Sequence, residues 1–104
     1  MSNNLITFSI VSHGQIDLVH NAVQSILSNL PDANFIITIN IPEDNQEDIK
    51  KLQEIENLNI IHNKTIKGFG ENHNYAFRYV QTKYFCVCNP DVIVESLDSS
   101  FDNL

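Results

Sequence analysis

Four short apolar runs recur along the chain, and each of the first three leads through a polar turn into a segment of helical spacing. Leu5 to Val11 is apolar and β-branched with partial alternation, and it runs into the turn Ser12-His13-Gly14. From Ile16 the apolar positions Ile16, Val19, Val23, Ile26, Leu27 and Leu30 repeat at helical intervals, with Asp17 suited to the positive helix start and Pro31 closing the far end. Phe35-Ile36-Ile37-Thr38-Ile39 is too short for a helix and reads as a strand covered on both faces. Pro42-Glu43-Asp44 is expected to open an acidic first turn, with Glu43-Asp44 and Glu47-Asp48 as a solvated helix start and Ile49, Leu52 and Ile55 as a narrow inner stripe.

The same alternation continues. Asn59 to His62 predicts a third strand, followed by the loop Asn63 to Gly70 and a helix whose inner face is expected to be His73, Ala76, Phe77 and Val80. Lys83 to Cys88 predicts the fourth strand. Val92-Ile93-Val94 is a further β-rich triplet, and Leu97, Phe101 and Leu104 recur at near-helical spacing. Strand and helix in strict alternation predict an α/β layer architecture with a largely parallel sheet, in one domain spanning residues 1–104.

Composition narrows the class. Apolar residues make up 42% and charged residues 18%, which suits a globular chain, and no apolar run reaches membrane-spanning length. The start Met1-Ser2-Asn3-Asn4 lacks a basic segment and a long apolar centre, so cytoplasmic residence is expected. A formal net charge of -7 argues against a nucleic-acid partner, because binding there comes from neutralising phosphates with Lys and Arg. A phosphorylated small molecule stays compatible if backbone N–H groups, a helix N-terminus or a cation help locally. Cys86 and Cys88, with one residue between them, are expected to be reduced core thiols pointing to opposite faces of the strand.

In an open α/β sheet, ligands bind beyond the carboxyl ends of the strands, where successive connections run in opposite directions. The loops that matter are therefore Ser12-His13-Gly14, Asn40-Ile41-Pro42, His62-Asn63-Lys64 and Asn89-Pro90-Asp91. Gly68 and Gly70 stand just before a helix, where glycine permits close backbone approach to a ligand. They do not make a dinucleotide fingerprint, which needs a third glycine after the first strand, nor a Walker loop, which needs Gly-Lys-Ser/Thr. His13, His20, His62 and His73 lie on different elements without metal-ligand spacing. Taken alone, Asn89-Pro90-Asp91 is an ordinary turn sequence.

The order of these pieces carries more than any one of them. A strand ending in Ser12-His13-Gly14, a buried strand ending at Asn40, Gly68-Phe69-Gly70 with Asn74, and Tyr84 to Val92 containing Asn89-Pro90-Asp91 together resemble the family 2 glycosyltransferases, from Ile6 to about Leu97. The likeness is nearest to the rhamnosyltransferase-like branch. It implies a Rossmann-like GT-A half-domain with sheet order 3-2-1-4, helices on both faces, and a donor crevice between strands one and four.

The resemblance also implies roles. Asp91 matches the last carboxylate of the Asp-x-Asp motif, which holds Mg²⁺ or Mn²⁺ against the diphosphate of a nucleotide sugar, here dTDP- or UDP-linked. Asn89 stands at that motif's first position. Ser12 and His13 match a loop near the nucleobase, Asn40 stands for a base- or ribose-contacting Asp, and Gly68, Gly70 and Asn74 match the segment beside the donor. Ile66 replaces an Asn common in the family. The acceptor half and the catalytic base of such enzymes lie beyond this region, so either a truncated chain or a short protein that binds without transferring is expected, and no catalytic residue is assigned. A non-catalytic nucleotide-binding module is the alternative. An uncovered edge on strand four would also invite pairing with a second copy.

Overall fold

The computed structural model describes residues 6–90, and Asp91, the Val92-Ile93-Val94 triplet and the segment of Leu97, Phe101 and Leu104 lie outside them. The elements follow in the order β1 (Ile6–Ser12), α1 (Ile16–Asn29), β2 (Asn34–Ile39), α2 (Gln46–Gln53), β3 (Leu58–His62), α3 (Phe69–Phe77) and β4 (Tyr84–Cys88). All four strands are parallel and lie in the order β3-β2-β1-β4. This is the α/β class and the strand order expected from the sequence.

Strand pleating sorts the side chains into two unlike layers, because alternate residues point to opposite faces. Ile6, Phe8 and Ile10 of β1 share one face with Phe35, Ile37 and Ile39 of β2 and Leu58 of β3. Onto it α1 lays Ile16, Val19, Ala22, Val23 and Ile26, and α2 adds Ile49 and Leu52, to make one continuous core. Val19, Val23, Ile37 and Leu52 are fully excluded from water, and each such side chain contributes about 1.5–3 kcal/mol of burial. The other face carries Thr7, Ser9 and Val11 of β1 with Ile36 and Thr38 of β2, and α3 packs across both strands there. It is much more polar. Thr7 Oγ1 meets Thr82 Oγ1 at 2.7 Å, and Ser9 Oγ meets His73 Nδ1 at 2.8 Å.

Three local expectations are corrected. Helix α2 opens at Gln46 and not at Pro42, because Asn45 caps it: Asn45 Oδ1 accepts from the Asp48 backbone N–H, while Asn45 Nδ2 donates to Asp48 Oδ2 at 2.7 Å. Phe77 lies 58% exposed instead of inward. At about 100° per residue, Asn72, His73 and Ala76 fill a single arc and Phe77 falls beside it, where its ring meets Phe85 edge-on at 5.2 Å. Cys86 and Cys88 point to the same face, as residues two apart in a strand must. They are paired in register with Phe8 and Ile10, and their sulfurs are 3.8 Å apart.

That thiol pair has unequal acidity. A hydrogen bond from Cys88 stabilises the Cys86 thiolate and lowers its pKa to about 7, whereas Cys88 is pushed upward by the same contact. Alkylation by iodoacetamide followed against pH is therefore expected to show one fast-reacting thiol with a midpoint near 7, assigned to Cys86 by peptide mass. Cys86→Ser should remove that phase.

Candidate functional site

The first two crossovers carry the chain from β1 to β2 to β3, and the third brings it back past β1 to β4. The direction of winding thus reverses between β1 and β4, which in open α/β sheets opens a crevice beyond the strand ends. A cleft of about 290 Å³ is found there. Val11 from β1, His13 and Gln15 from the following loop, Asn40 from the end of β2, and Cys88, Asn89 and Pro90 from the end of β4 line it. Lys67, Phe69, Asn72 and His73 close it from the α3 side.

Asn40 holds the cleft together. Its side chain is buried, and its Oδ1 accepts from the Lys67 backbone N–H at 2.9 Å and from Asn63 Nδ2 at 2.8 Å. Its Nδ2 donates to the Lys67 carbonyl at 2.9 Å and lies 3.2 Å from His13 Nδ1. An amide side chain offers two donors and two acceptor positions, and all four are engaged within the protein. Asn72 extends the network: its Oδ1 accepts from Asn63 Nδ2 at 2.7 Å, and its Nδ2 donates to the Lys67 carbonyl at 3.2 Å. The loop before α3 is therefore tied to the end of β2, which places Lys67 and Phe69 at the cleft.

Glu43, expected in a solvated helix start, is instead buried at the positive end of α1. Its Oε2 accepts from Ser12 Oγ at 2.6 Å and from the Gly14 N–H at 2.8 Å, and its Oε1 accepts from the Ile16 N–H at 3.3 Å. A carboxylate is stabilised there by the free N–H groups and the helix dipole. In dinucleotide-binding folds the pyrophosphate sits at this helix N-terminus, and here the protein's own side chain fills that place. Gly14, at φ +81°, supplies the left-handed turn that aims its N–H at Glu43. No spacing rule in the sequence marks Glu43, because its partners lie about thirty residues earlier.

The residues singled out from the sequence separate into three groups. His13, Asn40 and Asn89 come together at the cleft. Ser12 is buried with its hydroxyl committed to Glu43, and Asn74 is exposed and is not among the lining residues. Gly68 caps α3 and Gly70 lies in its first turn, and a side chain at either would meet no atom within 4 Å. Asp91 lies outside the described residues. Lys67, Phe69, Asn72 and His73 were not singled out as ligand-facing, since only the folded loop brings them to the strand ends. His73 is buried with a pKa lowered by desolvation, so its ring is neutral near pH 7. Among the described residues no group of three or more His, Cys, Asp or Glu side chains is placed to hold a metal ion, and no helix is long and apolar enough to cross a membrane.

Neither a protein-family model nor a curated protein sequence matches the chain. Solved structures do. A Staphylococcus aureus TarS fragment, residues 1–349, aligns with a TM-score of 0.74 at 12% identity over 86% of this chain. The mannosyltransferase PcManGT from Pyrobaculum calidifontis, in complex with GDP-Man and Mn²⁺, aligns with a TM-score of 0.70 at 10% identity over 85% of this chain. In both cases the chain spans 28% of the matched protein. The architecture is a glycosyltransferase-like α/β fold.

Replacing Glu43 tests the local design. Gly14 and Ile16 donate to different oxygens of Glu43, so Glu43→Gln keeps an acceptor for one of them and sets an amide N–H₂ against the other, which should cost about 1–3 kcal/mol of stability in urea unfolding. Hydrogen exchange should accelerate at whichever of Gly14 and Ile16 loses its acceptor.

Proposed function

We propose that this chain is the donor-binding part of a family 2-like glycosyltransferase and that its cleft takes a nucleoside-diphosphate sugar, UDP- or dTDP-linked, together with Mg²⁺ or Mn²⁺. The observation that carries this reading is the cleft at the β1/β4 reversal, where His13, Asn40 and Asn89 meet in a fold shared with a mannosyltransferase that holds GDP-Man and Mn²⁺. The sequence resemblance to the rhamnosyltransferase-like branch points the same way.

Electrostatics supports a cation. The chain carries a net charge of -7, and Glu43 already fills the helix N-terminus that would otherwise receive an anion. A diphosphate therefore needs positive charge from elsewhere, and among the described residues that line the cleft Lys67 is the one Lys or Arg. Mg²⁺ and Mn²⁺ prefer oxygen ligands and are commonly held by one or two carboxylates plus substrate phosphates. Asn89, which lines the cleft, offers a carbonyl oxygen, and Asp91, two residues on, is the carboxylate we assign to the ion. When bound, such an ion neutralises the leaving nucleoside diphosphate.

The remaining roles follow position. His13 and the backbone beside Ser12 face the base, with Ser12 holding the loop in shape through Glu43. Asn40 positions Lys67 and His13 for the ribose and base. Gly68 and Gly70 leave open space at the start of α3, and the place beside the donor that the resemblance gives Asn74 lies outside the cleft lining, on the exposed side of the same helix. The transfer we assign to such an enzyme is inverting: an acceptor hydroxyl attacks the sugar carbon, the bond from that carbon to the nucleoside diphosphate breaks, and a base takes the hydroxyl proton.

Calorimetric titration with UDP and dTDP, with and without Mn²⁺, checks this reading. Binding is expected only with the metal, and Asp91→Ala should weaken it by at least about 10–100-fold, the cost of losing even a group that orients a metal ligand. Metal-independent binding that Asp91→Ala leaves unchanged would remove Asp91 from this role.

We further infer self-association at the sheet margin. Among the described residues β4 pairs only with β1, and it exposes Val87 at 44%. Unpaired strand edges bearing apolar side chains invite pairing with another chain. Sedimentation velocity should show a concentration-dependent dimer that Val87→Lys weakens, and a monomer at all concentrations refutes it.

A further inference from the structure

The hydrogen bonds around His73 leave one polar atom without an explanation. The side chain is 4% exposed and lines the cleft from α3. Its Nδ1 lies 2.8 Å from Ser9 Oγ, and its Nε2 is buried with no hydrogen-bond partner among the described residues. A buried donor or acceptor left unpaired costs about 1–3 kcal/mol, and a ligand in the adjoining cleft could supply the partner. Thr38 Oγ1 is unpaired as well, but Thr38 does not line the cleft.

Ser9 decides which nitrogen carries the proton. Its hydroxyl is fully buried, and His73 Nδ1 is its one side-chain partner among the described residues. The hydroxyl hydrogen needs an acceptor, and Nδ1 can accept only when the ring proton sits on Nε2. In the opposite tautomer Nδ1–H would donate to Ser9 Oγ, and the buried Ser9 O–H would be left without a side-chain acceptor among the described residues. Hydrogen-bond accounting therefore makes Nε2 a donor in the neutral ring.

We propose that His73, locked by Ser9 into the Nε2–H tautomer, donates from the cleft wall to an unprotonated oxygen of the bound nucleotide. The proposal rests on the donor-site reading above and adds a specificity-determining residue to it. The surroundings favour a nucleobase carbonyl over a phosphoryl oxygen. Val11, Phe69, Cys88 and Pro90 make that part of the lining apolar, and the Phe69 ring, 62% exposed, meets the His73 ring edge-on at 4.4 Å. A flat exposed ring beside a neutral N–H donor suits a base that stacks and offers a carbonyl. A phosphate would be better served by the charge of Lys67 or of a cation.

Long-range ¹H–¹⁵N correlation spectra of the imidazole in the native chain test this directly. Nε2 is expected to be the protonated nitrogen in the free protein, and its resonance should shift on addition of UDP with diamagnetic Mg²⁺. The same shift with uridine alone would identify the base carbonyl as the acceptor, and a shift with Mg²⁺-pyrophosphate alone would identify a phosphoryl oxygen. His73→Phe keeps a ring but removes the donor, and should weaken UDP binding by about tenfold, equivalent to about 1.4 kcal/mol. His73→Gln, whose amide N–H reaches the same point, should recover most of that loss.

An Nδ1–H tautomer, or an Nε2 resonance that does not move while UDP binds, would overturn the assignment of His73 and leave the donor site standing. Failure of UDP and dTDP to bind the native chain at all would overturn the donor reading and this proposal with it. Should His73→Phe not fold, the spectra of the native chain still decide the matter.

Discussion

Polar side chains buried at the carboxyl ends of β1 and β2 are cut off from water, so Ser12, Asn40 and Glu43 take their partners from within the protein, and those bonds shape the rim of the cleft. Glu43 gathers Ser12, Gly14 and Ile16 at the start of α1. Asn40 clasps both backbone polar groups of Lys67. The loops that carry the candidate ligand-facing residues are thus held by charge-assisted and amide hydrogen bonds, and a rigid rim of this kind is what a small-molecule site needs if binding is not to be penalised by loop ordering.

The two faces of the sheet separate apolar burial from polar hydrogen bonding. The face under α1 and α2 is filled by aliphatic side chains and Phe8 and Phe35, and it supplies most of the burial. The face under α3 holds Thr7, Ser9, Thr38 and His73, a polar set that contributes less burial but offers specific hydrogen-bonding groups. The cleft opens where α3 meets the strand ends, on the polar side. Groups with unfilled hydrogen-bonding capacity lie there because the apolar face has no room for them.

Charge organises the same region. With an acidic chain and a carboxylate seated at the first helix N-terminus, the usual anion site of a nucleotide fold is closed. Among the described residues lining the cleft, positive charge comes from Lys67.

Much of this molecule was legible in the order of its residues. The runs Phe35 to Ile39 and Ile16 to Leu30 predict a buried strand and an amphipathic helix because periodicity is a local property, and the strand order 3-2-1-4 followed from the resemblance those pieces carry together. His13, Asn40 and Asn89 were found because loops after parallel strands converge on one end of the sheet. Other features depend on contacts that no local pattern records. Glu43 looks like one more acidic residue of a helix start until β1 and α1 bring Ser12, Gly14 and Ile16 to it. Asn72 and Lys67 join the cleft only when Asn40 pulls their loop against β2, and His73 has an unpaired nitrogen only because Ser9, sixty-four residues away, occupies the other. Sequence determines which segments are strand or helix, since that depends on neighbours a few residues apart. The partners of a buried polar group are chosen by packing across the whole chain, and so only the tertiary structure decides them.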